Sequence, residues 1–159
     1  MDAATFIALV SVCAPLVSPT TAHAIVHVES SLNPNAIGVV GGALKRQPRD
    51  RGEALATARA LQTAGRNFSV GIAQINVHNL NRLGLSLDDG FDVCMNLKAM
   101  QTVLGECFDR AASGSAQSDL RRAFSCYYSG NFATGFRHGY VSRVVRVAAN
   151  AQPLPRAPP

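Results

Sequence analysis

Apolar positions recur at helical spacing along most of the chain. In "TAHAIVHVES", residues 21 to 30, Ala22, Ile25, Val26 and Glu29 stand at i, i+3, i+4 and i+7, the spacing of a helix face that packs inward. The inward stripe of this predicted helix therefore carries a carboxylate, a group rarely buried without a partner or a task. Ser18 is placed to cap the helix and Pro19 to open it. It runs to about Ser31 and stops because Asn33, preceding Pro34, is pushed out of the helical region.

The same reading predicts an amphipathic helix over 3–12, closed by a turn from Pro15 to Pro19. Residues 33–50 are rich in Asn, Gly and Pro and read as loop or short extended structure. An Ala/Leu-rich helix covers 52–64 and ends at Gly65. "NFSVGIAQIN" places β-branched residues around Gly71, a short helix follows in "VHNLNRLGL", and "SLDDGFDVC" reads as a turn in which Asp88, Asp89 and Asp92 cap and solvate. A helix over 95–111 aligns Leu97, Met100, Val103 and Leu104 on one face. Ser118 is the predicted cap of a helix to about Tyr128, "SGNFATGFRHG" is loop, and 140–149 is a last helix. The expected fold class is mainly α (α+β), one domain over 1–150 with at most a small sheet. A Pro-rich tail over 151–159 is expected to be disordered or polyproline-like.

Composition narrows the partners. With 47% hydrophobic and 16% charged residues in 159, the chain is globular and can bury a core. A net charge of +5 suits an acidic polymer such as nucleic acid, a membrane surface or cell-wall glycan. The arginines are scattered and no aromatic-rich binding motif accompanies them, which argues against nucleic acid. The apolar runs fall short of a membrane span. "FIALVSVCAPLV" followed by "AHA" imitates a signal peptide and its cleavage site, but "MDAAT" lacks Lys and Arg, and cleavage after Ala24 would strip Glu29 of its helix. Residues 3–12 are therefore expected to belong to the domain, an export signal being absent from this chain or of an unusual kind. Cys13, Cys94, Cys107 and Cys126 form no CxxC, so a zinc or thioredoxin-like motif is disfavoured. Two disulfides in an oxidising compartment and four buried thiols both fit an even count.

Three segments carry chemistry: "ESSLNPNAIG", "SVGIAQIN" and "SCYYSGN". Their order and content resemble the lytic transglycosylase family with the lysozyme-like fold, most closely the members that accompany type IV secretion systems. The first motif is matched by Glu29, Ser30, Asn33, Pro34, Ala36 and Gly38, and the second by Gly71, Gln74, Ile75 and Asn76. The third is matched by Cys126, Tyr127, Tyr128, Ser129 and Gly130, and a later Tyr-Val pair by Tyr140 and Val141. Cys126 and Tyr128 stand where the family more generally has Ala and Asn. The stretch over 41–69 lengthens the gap between the first two motifs, and is expected beside the cleft where it could alter glycan selection.

An apolar setting and a helix C-terminus both disfavour an ionised carboxylate, so Glu29 is expected to stay protonated near neutral pH. That is the form a glycosidic leaving group needs. No second carboxylate has a comparable setting: Asp50 and Glu53 lie in the lengthened stretch, and Glu106 and Asp109 lie on a long helix with basic neighbours. A single acid fits the chemistry the resemblance implies, in which the C6 hydroxyl of N-acetylmuramic acid attacks its own C1 and leaves a 1,6-anhydro end. No metal or organic cofactor is required. His23 and His27 are four apart on one helix, but Ala24 stands where a metalloprotease motif has Glu. His78 and His138 read as structural or exposed.

The resemblance implies peptidoglycan strands as substrate, type IV secretion subunits as partners and the periplasm as location. Ser30 is expected to orient the Glu29 carboxyl. Gln74, Asn76, Ser129 and Asn131 are expected to bind sugar, with Tyr127 and Tyr140 packing on a sugar face or, for Tyr127, in the core. For the cysteines, a helix spanning Cys94 to Cys107 would separate them by about 20 Å, too far for a bridge. Consecutive helices can bring Cys107 beside Cys126, which leaves Cys13 for Cys94; secretion-associated relatives often carry cysteines at these two turns. Two other readings stay open: a lysozyme-like module that binds glycan without cleaving it, and a hydrolytic lysozyme in which water attacks.

Overall fold

Proline and serine open the central helix as the sequence expects. In the computed structural model, which describes residues 1–151, α2 spans Pro19–Ser30, and the Ser18 hydroxyl accepts from the Thr21 amide at 3.2 Å. Ala22, Ala24, Ile25 and Val26 are buried along it. Ser31 and Leu32 then both take left-handed backbone conformations, at φ 53° and 63°. This break places Glu29 in the last turn, at the edge of the buried face.

Helix α1 (Ala3–Cys13) lies beside α2 and buries Phe6, Val10 and Cys13. After β1 (Ile37–Val39) and α3 (Arg51–Thr63), β2 (Phe68–Val70) and β3 (Ile75–Asn76) complete an antiparallel sheet in the order β1-β2-β3. Ile37 pairs with Val70, and Val70 with Ile75. Helices α4 (Val77–Arg82) and α5 (Leu87–Phe91) lead to the long α6 (Val93–Ala111) and its neighbour α7 (Ala116–Ser129). A short α8 (Thr134–Arg137) precedes α9 (Tyr140–Asn150), which packs on α2 and α7. The fold is mainly helical with a small sheet. Among the described residues, no helix is long and apolar enough to cross a membrane. The expected Pro-rich tail lies outside the described residues from 152 onward.

Several local expectations are corrected. The predicted turn at 86–92 contains α5, because Ser86 and Asp89 form a reciprocal capping box. The cap of α7 is Ser115 and not Ser118, whose amide is the donor it accepts. The loop after α7 includes α8, and Asn131 Oδ1 in the approach to it accepts from the Ala133 and Thr134 amides at 3.0 and 2.8 Å. Cys94 sits in the first turn of α6 and not in a preceding turn.

The structure pairs Cys13 with Cys94 and Cys107 with Cys126, at Cα separations of 5.2 and 5.7 Å. The first bridge joins α1 to α6, the second α6 to α7. Because their sequence separations are 81 and 19, loop-closure entropy gives about 4.5 and 3 kcal/mol respectively.

Candidate active site

A cleft of about 1070 Å³ runs between the helices and the sheet. Glu29, Gln74, Asn76, Tyr127 and Ser129, drawn from all three motifs, line it together with Tyr128 and His138. Glu29 itself is half-buried. Tyr140, brought over by α9, donates its hydroxyl to Glu29 Oε1 at 2.6 Å.

Burial pushes the Glu29 carboxyl up to about 7, although the Tyr140 hydrogen bond and the Arg143 charge both pull the other way. The two tyrosines nearest it are driven well above the ordinary phenol range, chiefly by burial and then by the Glu29 charge. Both phenols therefore remain proton donors. Tyr140 uses its proton on Glu29, and Tyr127 donates to the Ala73 carbonyl at 2.6 Å.

The turn carrying the second motif is fixed by buried Asn96 of α6. Its Nδ2 donates to the Val70 and Gly90 carbonyls at 3.0 and 2.7 Å, and its Oδ1 accepts from the Ala73 amide at 2.8 Å. Gly71 is required here: its φ is 81°, and a Cβ would collide with Asn96 Nδ2 and the Gly90 carbonyl. Gln74 has a φ of 51°, an uncommon conformation for a side-chain-bearing residue. Its Nε2 donates to the Ala36 and Gly71 carbonyls, both at 3.0 Å. Its Oε1 abuts Gly38, where a Cβ would come within 2.7 Å.

Other expected roles are altered by the partners each side chain already has. Ser30 does not orient Glu29: its hydroxyl lies on the Ile72 carbonyl at 2.7 Å and the Val26 carbonyl at 3.2 Å. It ties α2 to the second-motif turn instead. Asn131 is exposed but outside the cleft lining, its Oδ1 taken by the Ala133 and Thr134 amides. Tyr140 offers no face to a sugar, being 2% exposed and turned to Glu29. Asn76 lines the cleft, yet its Nδ2 donates to Asn67 Oδ1 at 2.8 Å and its Oδ1 accepts from the His78 amide at 3.0 Å. Ser129 donates to the Ser125 carbonyl at 2.8 Å. Tyr127 is half-buried, with its ring on the cleft wall.

The sequence reading missed Tyr128 as a partner of the site and set His138 aside. Tyr128 is 40% exposed and stacks on Tyr140 with centroids 4.6 Å apart and planes 16° apart. The signal was its substitution for Asn in the third motif. Among the described residues, Glu106 is the other carboxylate on the cleft wall, held by Arg82 at 2.7 Å. His23 and His27 lie side by side on α2, their rings tilted by 41° with centroids 5.9 Å apart, and His23 meets Phe6 of α1 edge to face. Of the 41–69 stretch, Gly41, Asn67 and Ser69 reach the cleft, whereas α3 packs away from it against α5.

One half-buried carboxyl at a helix end, facing a cleft between helices and a small sheet, defines a lysozyme-like domain. The chain belongs to the Transglycosylase SLT domain family, whose profile matches residues 10–144. It is 50% identical over 151 residues to the type IV secretion system protein virB1 of Brucella abortus and of Brucella suis. It is 37% identical over 155 residues to protein virB1 of Rhizobium radiobacter. These alignments take in 92% of this chain but span only 63% and 62% of those relatives. No solved structure matches the chain significantly.

Proposed function

We propose that this chain is a peptidoglycan lytic transglycosylase with Glu29 as its single acid and base. The observation that carries the reading is Glu29 itself: a carboxyl on the cleft wall, raised to about 7 by burial and bonded to Tyr140. Near neutral pH it is divided between the protonated form that a leaving group needs and the ionised form that takes a proton back.

The protonated carboxyl donates to the glycosidic oxygen as the bond to C1 of N-acetylmuramic acid breaks. The C6 hydroxyl of the same sugar then bonds to C1, and Glu29 recovers the hydroxyl proton. The products are a free 4-hydroxyl and a 1,6-anhydro end, and water is not consumed. Tyr140 holds the carboxyl, while Gln74 Oε1, Ser129 and the rings of Tyr127 and Tyr128 face the sugar.

The names of the virB1 relatives support a place beside a type IV secretion apparatus, opening wall locally in the periplasm. Two disulfides agree with an oxidising compartment. Peptidoglycan strands are the proposed substrate, with secretion subunits as partners.

Mass spectrometry of digested peptidoglycan tests the reading. Anhydromuropeptides are expected. Reducing ends would indicate a hydrolytic lysozyme, and binding without products a glycan-gripping module.

A further inference from the structure

Tyr128 occupies a special place between the cleft and the Glu29 pair. One face of its ring lies on Tyr140, whose hydroxyl is the one on Glu29. Its own hydroxyl meets His138 Nδ1 at 2.9 Å, and the two rings meet edge to face at 5.8 Å. His138 is itself tethered, since its carbonyl accepts from Arg143 Nη1 at 3.1 Å. Gly139, with a φ of 72°, turns the chain between His138 and Tyr140 so that both flanking residues reach Tyr128.

The consequence is a layered wall. Tyr140 is 2% exposed and does not line the cleft, whereas Tyr128, 40% exposed, does. The water-facing ring therefore covers the ring that carries the Glu29 hydrogen bond. We propose that Tyr128 is a positioning residue for Glu29: its ring, set edge to face against His138, covers the Tyr140 ring and shields the Glu29–Tyr140 contact from water on that side. This rests on the reading of Glu29 as the acid, and it assigns a role to the position where this chain departs from the third motif.

Other ionisable groups facing the pair are few. Tyr127 comes from α7 and Arg143 from α9, and His138, just before α9, stands behind Tyr128. Helix α1 carries none but a disulfide-bonded cysteine. Arg143 pulls the Glu29 carboxyl toward ionisation, so burial is what keeps it high. Removing the covering ring admits water and weakens the burial that holds the carboxyl high.

The test is a carboxyl-carbon NMR titration of Glu29 in the 159-residue chain, which requires no turnover. Tyr128→Ala is expected to lower the midpoint by roughly one pH unit, and Tyr128→Phe, which keeps the ring, to restore it to within about 0.3 unit. Tyr128→Asn repeats the test should the alanine variant fold poorly. In wall digestion, the ring-less variants should lose roughly fivefold at pH 7, and less as pH falls, because the protonated fraction shrinks from about one half to about one tenth. An unchanged midpoint in the folded ring-less variants would overturn the proposal, as would a phenylalanine variant that shifts as far as they do. A wild-type chain that shows the expected titrations but cleaves no wall would sink the enzymatic reading and leave the positioning role standing.

Discussion

Two glutamates in this chain have opposite fates. Glu53, on α3, accepts from the Arg49 amide at 3.0 Å and pairs with Arg46 at 2.5 Å. Those donors, led by Arg46, drive it down to about 2. Glu29, at the end of α2, has one neutral phenol as its hydrogen-bond partner and rises to about 7. On the same α3–α5 face Asp88 also meets arginines, Arg51 at 3.8 Å and Arg59 at 3.5 Å. Where charged donors and water are available, a carboxyl ionises. Where burial outweighs a single hydroxyl, it keeps its proton and can serve as an acid.

The sharpest way to break this contrast is Glu29→Gln, which keeps shape and hydrogen-bond capacity but has no transferable proton. Wall cleavage should fall by at least about a thousandfold, the scale on which removal of an essential acid is felt. Near-full activity would remove Glu29 from its role. Opening the Cys13–Cys94 bridge with paired serines tests whether the helices around the site are held from outside it. Stability should drop by about 4 kcal/mol in chemical denaturation, and a loss below about 1 kcal/mol would deny α1 that part.

Linkage gives the third test. The folded-state value of Glu29, about 7, lies above the ordinary 4.5, so the fold binds this proton more tightly than the unfolded chain does. Stability should therefore fall as pH rises from about 4.5 to 7, the whole cost being present above that window. Glu29→Gln escapes the cost and should be more stable than wild type by about 1–3 kcal/mol at pH 8, with no gain at pH 4. Equal stability at pH 8 would mean the carboxylate is not confined. Tyr140→Phe sharpens the comparison further. It removes a donor that favours the charged form, so the Glu29 midpoint should rise above its value of about 7. The smallest effect belongs to the other glutamate: Glu53→Gln should lower the melting temperature by no more than about 3 °C at neutral pH, because exposed pairs contribute little. The stabilising effect of Glu53 is present above about 4.5 and fades as pH falls toward 2.

The helical frame was legible because its signals are local. Ser18, Pro19 and the stripe of Ala22, Ile25 and Val26 announce α2 without reference to the rest of the chain. The three motifs likewise singled out Glu29, Gln74 and Tyr127, and the structure brings all three to one cleft. Short elements were harder. Helices α5 and α8 have only 5 and 4 residues, too few for a period to show; α5 is set by its capping box and α8 by packing on α7 and α9.

What the sequence determined by itself was which residues are the candidates for chemistry, since a carboxylate on an apolar stripe and spaced motifs are properties of the chain. Which of their atoms remain for a ligand was decided by tertiary structure. Ser30 spends its hydroxyl on Ile72, 42 residues away, and Tyr140 reaches Glu29 across 111 residues. Tyr128 gained its position only when α9 laid Tyr140 against it. Hydrogen-bonding capacity is fixed by residue type, but its use depends on which backbone groups folding leaves within about 3 Å. Those neighbours come from distant parts of the chain, where no local pattern records them.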